Sequence, residues 1–256
     1  MIYDYYNNMK ILKLKHKTFY LSFIFLVMLI FTSCTKLYSF TAKNECVILL
    51  HGMGRTSFSM KKLDKFLSGR GYKTVNLGYP STRESIAAIA EKYIPQAIDR
   101  CNEFQPGKIH FVTHSLGGII VRQYLQNNSL PSGSRVVMIS PPNKGSELAD
   151  YMKDFWLYKW INGPAGQELG TGPNSTPNIL NPVNADIGII TGNKSFNPLF
   201  SQLIPGPDDG KVSVKRTKLK EMQDFIVIPA SHTFIMQNSI TLKQVSYFLA
   251  NGRFKR

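Results

Sequence analysis

The chain has 256 residues, of which 43% are hydrophobic and 18% are charged, and its formal net charge is +15. This length suits one α/β domain or two small domains, and the composition excludes an intrinsically disordered chain. The positive charge favours anionic partners. Because no zinc-ligand pairs or RNA-binding motifs accompany it, we interpret it as a solubilising or membrane-attracting surface and expect no nucleic-acid partner.

The chain begins with the pattern of an export signal. A nearly continuous apolar run, Phe19–Phe31, follows a basic stretch and precedes Thr32, Ser33 and Cys34. The run is short for a membrane-spanning helix but suits the core of a signal peptide. A cysteine after small residues resembles a bacterial lipoprotein signal, in which that cysteine is lipidated, although Phe31 replaces the usual leucine.

Three interpretations of this segment stay open: a lipoprotein signal, a cleaved secretory signal, and an uncleaved anchor extending from Tyr20 through Tyr38. Each places the remaining chain outside the cytoplasm, as a membrane-anchored lipoprotein of a bacterial cell envelope or as a secreted protein. We expect residues 1–34 to form the signal, residues 35–44 a tether and residues 45–256 one folded domain.

Short apolar runs alternate with amphipathic segments through this domain. The apolar runs predict strands at Cys46–Leu50, Tyr72–Leu77, Ile109–Thr113, Arg135–Ser140, Ile187–Thr191 and Phe225–Pro229. The amphipathic segments predict helices at Ser57–Leu67, from Ser81 or Thr82 to about Phe104 with a kink at Pro95, after Ser115, at Glu147–Trp160 and at Ser239–Leu249. Residues Ile161–Pro182 show no regular period. The alternation predicts an α/β fold with a mostly parallel central sheet and helices on both faces.

Two cysteines of the domain fall on the same side of this predicted sheet. Cys46 opens a strand, and Cys101 ends the helix that precedes the next strand. A disulfide suits an exported protein, and two buried thiols fit the pattern equally well.

The central predicted strand leads into a serine turn. In Lys108–Gly118 an apolar run is followed by His114, Ser115 and a glycine pair, and a helical pattern starts directly afterwards. This strand–turn–helix pattern is typical of a nucleophile elbow, which presents a serine at the end of a sheet. Thr113 stands where the motif usually has glycine, so it adds bulk where the turn is tightest. An ordinary turn with an exposed serine is the alternative.

The remaining members of an acyl-transfer site follow from chain order. Only one histidine, His232, comes after Ser115, and it directly follows a predicted strand, as a general base should. The acid should lie between them. Asp209 and Asp208 occupy a loop that can reach the site, and we prefer Asp209, because it directly precedes Gly210 in a turn that leaves its carboxylate free.

An oxyanion formed during acyl transfer needs backbone N–H donors. Leu116 follows the proposed nucleophile at the start of a helix, and Met53 lies between two glycines after the first strand of the domain. We therefore expect the amides of Met53 and Leu116 to form the oxyanion hole.

These segments together resemble the α/β-hydrolase superfamily, in its small lipase and esterase branch. The resemblance is carried by His51–Arg55, His114–Gly118, Asp208–Val212 and His232, which occur in the family's order. It implies a serine hydrolase that cleaves carboxylic esters, of lipids or short acyl chains, through an acyl-enzyme. It also implies that no cofactor and no metal is needed, and that a small cap lies at about residues 147–182.

Several functional alternatives stay open. The same residues would serve an acyltransferase, a thioesterase or an amidase, and a lipid-anchored binding protein on an inactive hydrolase scaffold is a non-catalytic alternative. Three roles stay open for the large apolar and aromatic side chains of the cap: lining an acyl site, touching a membrane, or packing onto the core. These residues are Phe155, Trp156, Leu157, Tyr158 and Trp160. The sequence does not indicate an oligomeric state.

Overall fold

The computed structural model of the protein describes residues 43–256. The predicted signal, Cys34 and nearly all of the predicted tether lie outside the described residues. Within residues 43–256, no helix combines the length and the apolar character that crossing a membrane requires.

A six-stranded parallel sheet forms the centre of the domain. Its strands are β1 (Glu45–Leu50), β2 (Lys73–Leu77), β3 (Lys108–His114), β4 (Arg135–Ile139), β5 (Asp186–Gly192) and β6 (Asp224–Ile228). Their order across the sheet is β2-β1-β3-β4-β5-β6, and every neighbouring pair is parallel. The carboxyl ends of all six strands therefore lie at one edge, and the predicted α/β fold class is confirmed.

The described helices fall mostly between the strands. They are α1 (Lys61–Ser68), α2 (Ile86–Asn102), α3 (Leu116–Tyr124), α4 (Glu147–Met152), α5 (Trp156–Gln167), α6 (Thr176–Ile179), α7 (Pro198–Leu203), α8 (Val214–Thr217) and α9 (Ser239–Asn251), with 3-10 turns at Ser57–Met60 and Ile235–Gln237. The short helices α6, α7 and α8 are absent from the sequence prediction, because helices of four to six residues carry too little periodicity to be recognised.

Successive residues of the strands pack into opposite layers. In β1, Cys46, Ile48 and Leu50 join the apolar cluster that contains the buried faces of α2 and α3. The alternate residues, Val47 and Leu49, join the cluster on the other side, beneath α1 and α9. A strand that is buried on both faces reads as a continuous apolar run, which is why the strands were predictable.

A disulfide links the sheet to one of these helical layers. Cys46 of β1 and Cys101 of α2 are bonded, with 5.8 Å between their α-carbons. Of the two alternatives left open by the sequence, the structure therefore has the disulfide and not two buried thiols. The bond lies near the amino end of β1, at the opposite end of the strand from the loop that follows Leu50.

The second helix begins later than predicted. Its N-cap is Ser85, whose hydroxyl accepts a hydrogen bond from the N–H of Ala88, and not Ser81 or Thr82. The hydroxyl of Ser81 instead accepts from the N–H of Gly54, in the loop after β1, at 3.1 Å. The helix also continues past Pro95 to Asn102 as one element.

The cap differs from the single helix expected at Glu147–Trp160. The structure has two helices, α4 and α5, because the chain is extended at Phe155. Helix α5 then runs on to Gln167, into the segment expected to be irregular, and bends at Gly163, whose φ is 58°. The carboxylate of Asp150 accepts a hydrogen bond from the N–H of Thr171 and so ties α4 to the loop after α5.

Candidate active site

Ser115 lies in a strained turn between the central strand β3 and helix α3. Its φ of 52° and ψ of −121° are unusual for a residue with a β-carbon, and among the described non-glycine residues only Gln105 and Ser140 share the positive φ. The turn is anchored by the Ser115 N–H, which donates to the carbonyl of Ile139 at 2.9 Å. Such strain needs support from the surrounding fold and is common at functional sites.

The glycine pair after Ser115 removes the crowding expected from Thr113. A β-carbon at Gly117 would lie 2.9 Å from Cβ of Leu50, so the closest approach of helix and sheet falls there. A β-carbon at Gly118 would meet Pro141 at 3.0 Å and the hydroxyl of Thr113 at 3.4 Å. The bulk of Thr113 is therefore accommodated opposite Gly118, and the elbow forms without a glycine at position 113.

Three of the predicted site residues form a continuous hydrogen-bonded row. Nε2 of His232 lies 3.0 Å from Oγ of Ser115, and Nδ1 of His232 lies 2.8 Å from Oδ2 of Asp209. His232 and Asp209 are almost fully buried, whereas Ser115 is partly exposed. With Nδ1–H donating to the carboxylate, Nε2 is left to accept the Ser115 proton, which is the arrangement a general base requires.

The local backbone fixes the carboxylate of Asp209. Its Oδ1 accepts hydrogen bonds from the N–H groups of Lys211 and Val212 at 3.1 and 3.0 Å. Burial alone would raise the pKa of Asp209, but the adjacent His232 and the N–H of Val212 hold it below its ordinary value. Asp209 therefore stays ionised beside the imidazole.

Asp208, the alternative acid, has other partners. Its Oδ1 accepts from the N–H of Gly210 at 2.7 Å and from the hydroxyl of Ser201 at 2.9 Å. These bonds shape the turn and tie it to helix α7. The structure thus brings Asp209, and not Asp208, to the histidine.

The loop after β1 packs directly against the serine turn. A β-carbon at Gly52 would lie 2.8 Å from Nδ1 of His114 and 3.2 Å from Cβ of Ser115, so only glycine fits there. Among the described residues, the N–H groups of Met53 and Leu116 donate to no backbone or side-chain acceptor. Leu116 is the first residue of α3, where the helix leaves such groups unpaired. An oxyanion hole needs N–H donors near the nucleophile: Leu116 directly follows Ser115, and Met53 lines the same cavity as Ser115.

A buried aromatic pair supports this loop. The rings of His51 and Tyr79 stack with centroids 4.1 Å apart, and the Tyr79 hydroxyl donates to the carbonyl of His51. Nδ1 of His51 donates to the carbonyl of Gly52 at 2.9 Å. Burial lowers the pKa of His51, so the ring is neutral and shapes the backbone before Met53.

Another histidine, His114, holds the segment that carries the proposed base. Its Nε2 donates to the carbonyl of His232 at 3.0 Å, and the two rings lie 4.9 Å apart. Burial, and then the charge on His232 when it is protonated, hold the pKa of His114 well below its ordinary value. His114 therefore adds no second positive charge when His232 takes a proton. Chain order alone did not reveal this role, since His114 precedes the serine.

Ser115 opens into a cavity of about 220 Å³ between the sheet edge and the cap. Apolar groups form much of its wall: Leu148, Ala149, Met152, Leu169 and Val212. Met53 and His232 also line it, so the proposed nucleophile, base and oxyanion donor face one space. Among residues 43–256, no three His, Cys, Asp or Glu side chains lie together as a metal site would require.

The family model described as the alpha/beta hydrolase family matches residues 47–216. The chain belongs to the alpha/beta hydrolase family. The matched segment contains the serine turn, the loop at Met53 and Asp209, whereas His232 follows it. No curated protein matches the chain in sequence.

Solved structures with the same architecture include several hydrolases. The mature lipase BlEst2 of Bacillus licheniformis superposes with a TM-score of 0.61 at 18% identity, over 83% of this chain and 93% of that one. Phospholipase PlaB of Legionella pneumophila has a TM-score of 0.59 at 19% identity, over 79% of this chain and 56% of that one. The metagenomic carboxyl esterase MGS0156 has a TM-score of 0.58 at 16% identity, over 76% of this chain and 66% of that one. At these identities the likeness shows the shared fold alone.

Proposed function

We propose that this α/β-hydrolase is a serine esterase that cleaves carboxylic esters through an acyl-enzyme. The hydrogen-bonded row of Ser115, His232 and Asp209 carries this proposal. A serine hydroxyl is a weak nucleophile at neutral pH and needs a base in direct contact. Its contact with the imidazole of His232, itself oriented by the carboxylate of Asp209, meets that requirement.

In the proposed reaction, Oγ of Ser115 attacks the ester carbonyl while Nε2 of His232 takes its proton. The N–H groups of Met53 and Leu116 stabilise the negative oxygen of the tetrahedral intermediate. The intermediate collapses, and His232 gives the proton to the departing alcohol, leaving the acyl group on Ser115. Water then attacks the acyl-enzyme with His232 again as base, which releases the acid and restores the serine.

The rate on p-nitrophenyl esters of increasing chain length tests the proposal. Wild-type protein is compared with Ser115→Ala and His232→Ala, and we expect each variant to lose about 10⁴-fold or more in kcat/KM. Circular dichroism and thermal unfolding establish that both variants are folded. Full activity in either folded variant would refute the proposed mechanism. Parallel assays with thioesters, amides and acyl acceptors separate an esterase from a thioesterase, amidase or acyltransferase.

We also propose that the domain acts outside the cytoplasm and is tethered to a membrane through its N-terminal segment. The bond between Cys46 and Cys101 supports this location, because disulfides persist mainly in oxidising compartments. The exposed side chains of Trp156 and Trp160, on the cap beside the cavity, suit contact with lipid. Cell fractionation, with Cys34→Ala as the comparison, tests the anchor: loss of membrane association in the variant supports lipidation.

A further inference from the structure

Two cations share the cavity that contains Ser115. Arg55, two residues after Met53 in the loop that follows β1, lines the cavity, and Lys211, two residues after Asp209, lines it as well. Both residues are exposed to solvent. The loops that bring the proposed oxyanion donor and the proposed acid to the serine thus each add a positive charge beside it.

These charges are not neutralised within the described chain. In residues 43–256, neither Arg55 nor Lys211 forms an ion pair with an acidic side chain. No Asp or Glu lines the cavity itself. Cations elsewhere near the sheet do have such partners, for example Lys108 with Glu45 at 3.0 Å.

The two cations also repel one another. Removal of the Lys211 ammonium from water lowers its pKa, and the nearby charge of Arg55 lowers it further, while Asp209 opposes both effects. Asp209 is already committed to His232 and to two backbone N–H groups. Placing two like charges together without a counter-charge is unfavourable, and an anion bound between them would relieve the repulsion.

The cavity also has apolar lining residues. Leu148, Ala149, Met152 and Leu169 give it an apolar wall that suits a hydrocarbon chain. A molecule that satisfies both parts has an apolar acyl chain, an ester that reaches Ser115, and a negative charge a few bonds from that ester.

We propose that the preferred substrate is an acyl ester whose alcohol part carries a phosphate, and that Arg55 and Lys211 bind this phosphate while the acyl chain lies along the apolar wall. This inference rests on the proposed esterase function and specifies its substrate class. A phospholipid headgroup and a small phosphorylated alcohol share this chemistry. The ester bond breaks as in the proposed reaction, and the phosphate takes no part in bond making.

Three short-chain lipids that remain monomeric in water provide the test. Dihexanoylphosphatidylglycerol is anionic, dihexanoylphosphatidylcholine carries the same phosphate with a cationic group, and dihexanoylglycerol has no phosphate. We expect wild-type kcat/KM to be at least about tenfold higher for the anionic lipid than for dihexanoylglycerol, since a charged hydrogen bond contributes about 1.4 kcal/mol or more. Inorganic phosphate should compete with the anionic lipid if the phosphate alone is recognised.

Substitution then shows whether the two cations cause the preference. The double variant carries both Arg55→Gln and Lys211→Gln. Its kcat/KM for the anionic lipid, divided by its kcat/KM for dihexanoylglycerol, should be at least about tenfold lower than the same ratio in wild type. The matched control is Lys243→Gln, which removes an exposed cation of α9 that does not line the cavity, and the wild-type ratio is expected.

The outcomes separate this inference from the function on which it rests. The substrate assignment is wrong, and the esterase function stands, in either of two cases. In the first, wild-type kcat/KM for dihexanoylglycerol equals that for the anionic lipid. In the second, the double variant keeps the wild-type ratio of the two kcat/KM values. If wild type cleaves none of the three lipids and no p-nitrophenyl ester, the proposed function fails and this inference fails with it.

Discussion

Replacing Asp209 with asparagine should abolish most activity by reversing one hydrogen bond. The N–H groups of Lys211 and Val212 both donate to Oδ1 of Asp209. In Asp209→Asn the amide oxygen keeps that position, because an NH2 group there would leave two N–H donors unpaired at a cost of about 1–3 kcal/mol each. The NH2 group therefore faces Nδ1 of His232 and donates to it. The histidine proton then resides on Nε2, so Nε2 cannot accept the proton of Ser115.

The loss expected from this tautomer change is about 10⁴-fold in kcat, or about 5 kcal/mol of transition-state stabilisation. The assay is steady-state hydrolysis of p-nitrophenyl butyrate, with urea denaturation to establish that the variant is folded. Asp208→Asn is the matched control, because an amide oxygen can accept the same bonds from Ser201 and Gly210. An Asp209→Asn variant within tenfold of wild type, or an equal loss in Asp208→Asn, would refute the assignment of the acid.

Three further predictions concern stability and lipid contact. Replacing Cys46 and Cys101 with alanine frees a loop of 55 residues and should lower the free energy of unfolding by up to about 4 kcal/mol in a urea titration. An unchanged urea midpoint would contradict this. Burial lowers the pKa of His110 to about 4, so its neutral form contributes stability that is complete above about pH 6.5 and is lost toward pH 4. His110→Asn should therefore flatten the dependence of unfolding free energy on pH in that range, and an equally steep curve would count against it. Trp160→Ser should weaken binding to anionic vesicles in a sedimentation assay, whereas Phe104→Ser, at the end of the helix before β3, should not; equal effects would argue against a lipid-facing cap.

The strands and the site could be predicted because their signals are local or depend on chain order. Residues Cys46–Leu50 of β1 are buried on both faces of the sheet, so this part of the strand is an uninterrupted apolar run. In a parallel sheet every loop after a strand opens at the same edge. His232 was identifiable because it follows a strand and comes after Ser115. The same edge rule excluded Asp186 and Asp224, but it left both Asp208 and Asp209 as candidate acids, and Asp209 was preferred because it directly precedes Gly210.

Other features depend on contacts that no local pattern encodes. Ser81 and Ser85 both resemble helix caps in the sequence. The hydroxyl of Ser85 does cap the helix, whereas the hydroxyl of Ser81 accepts a hydrogen bond from the N–H of Gly54 in a distant loop. The role of His114 depends on the carbonyl of His232, far along the chain. These are tertiary effects, and tertiary packing overrides local propensity.

Labelling with a fluorophosphonate tests the central claim most directly, because this reagent reacts with a serine only when a neighbouring base activates it. Wild-type protein should form one covalent adduct, which peptide mass spectrometry locates on Ser115, and His232→Ala should label far more slowly. No adduct, or an adduct on Ser140 or Ser231 in place of Ser115, would contradict the assignment of the nucleophile.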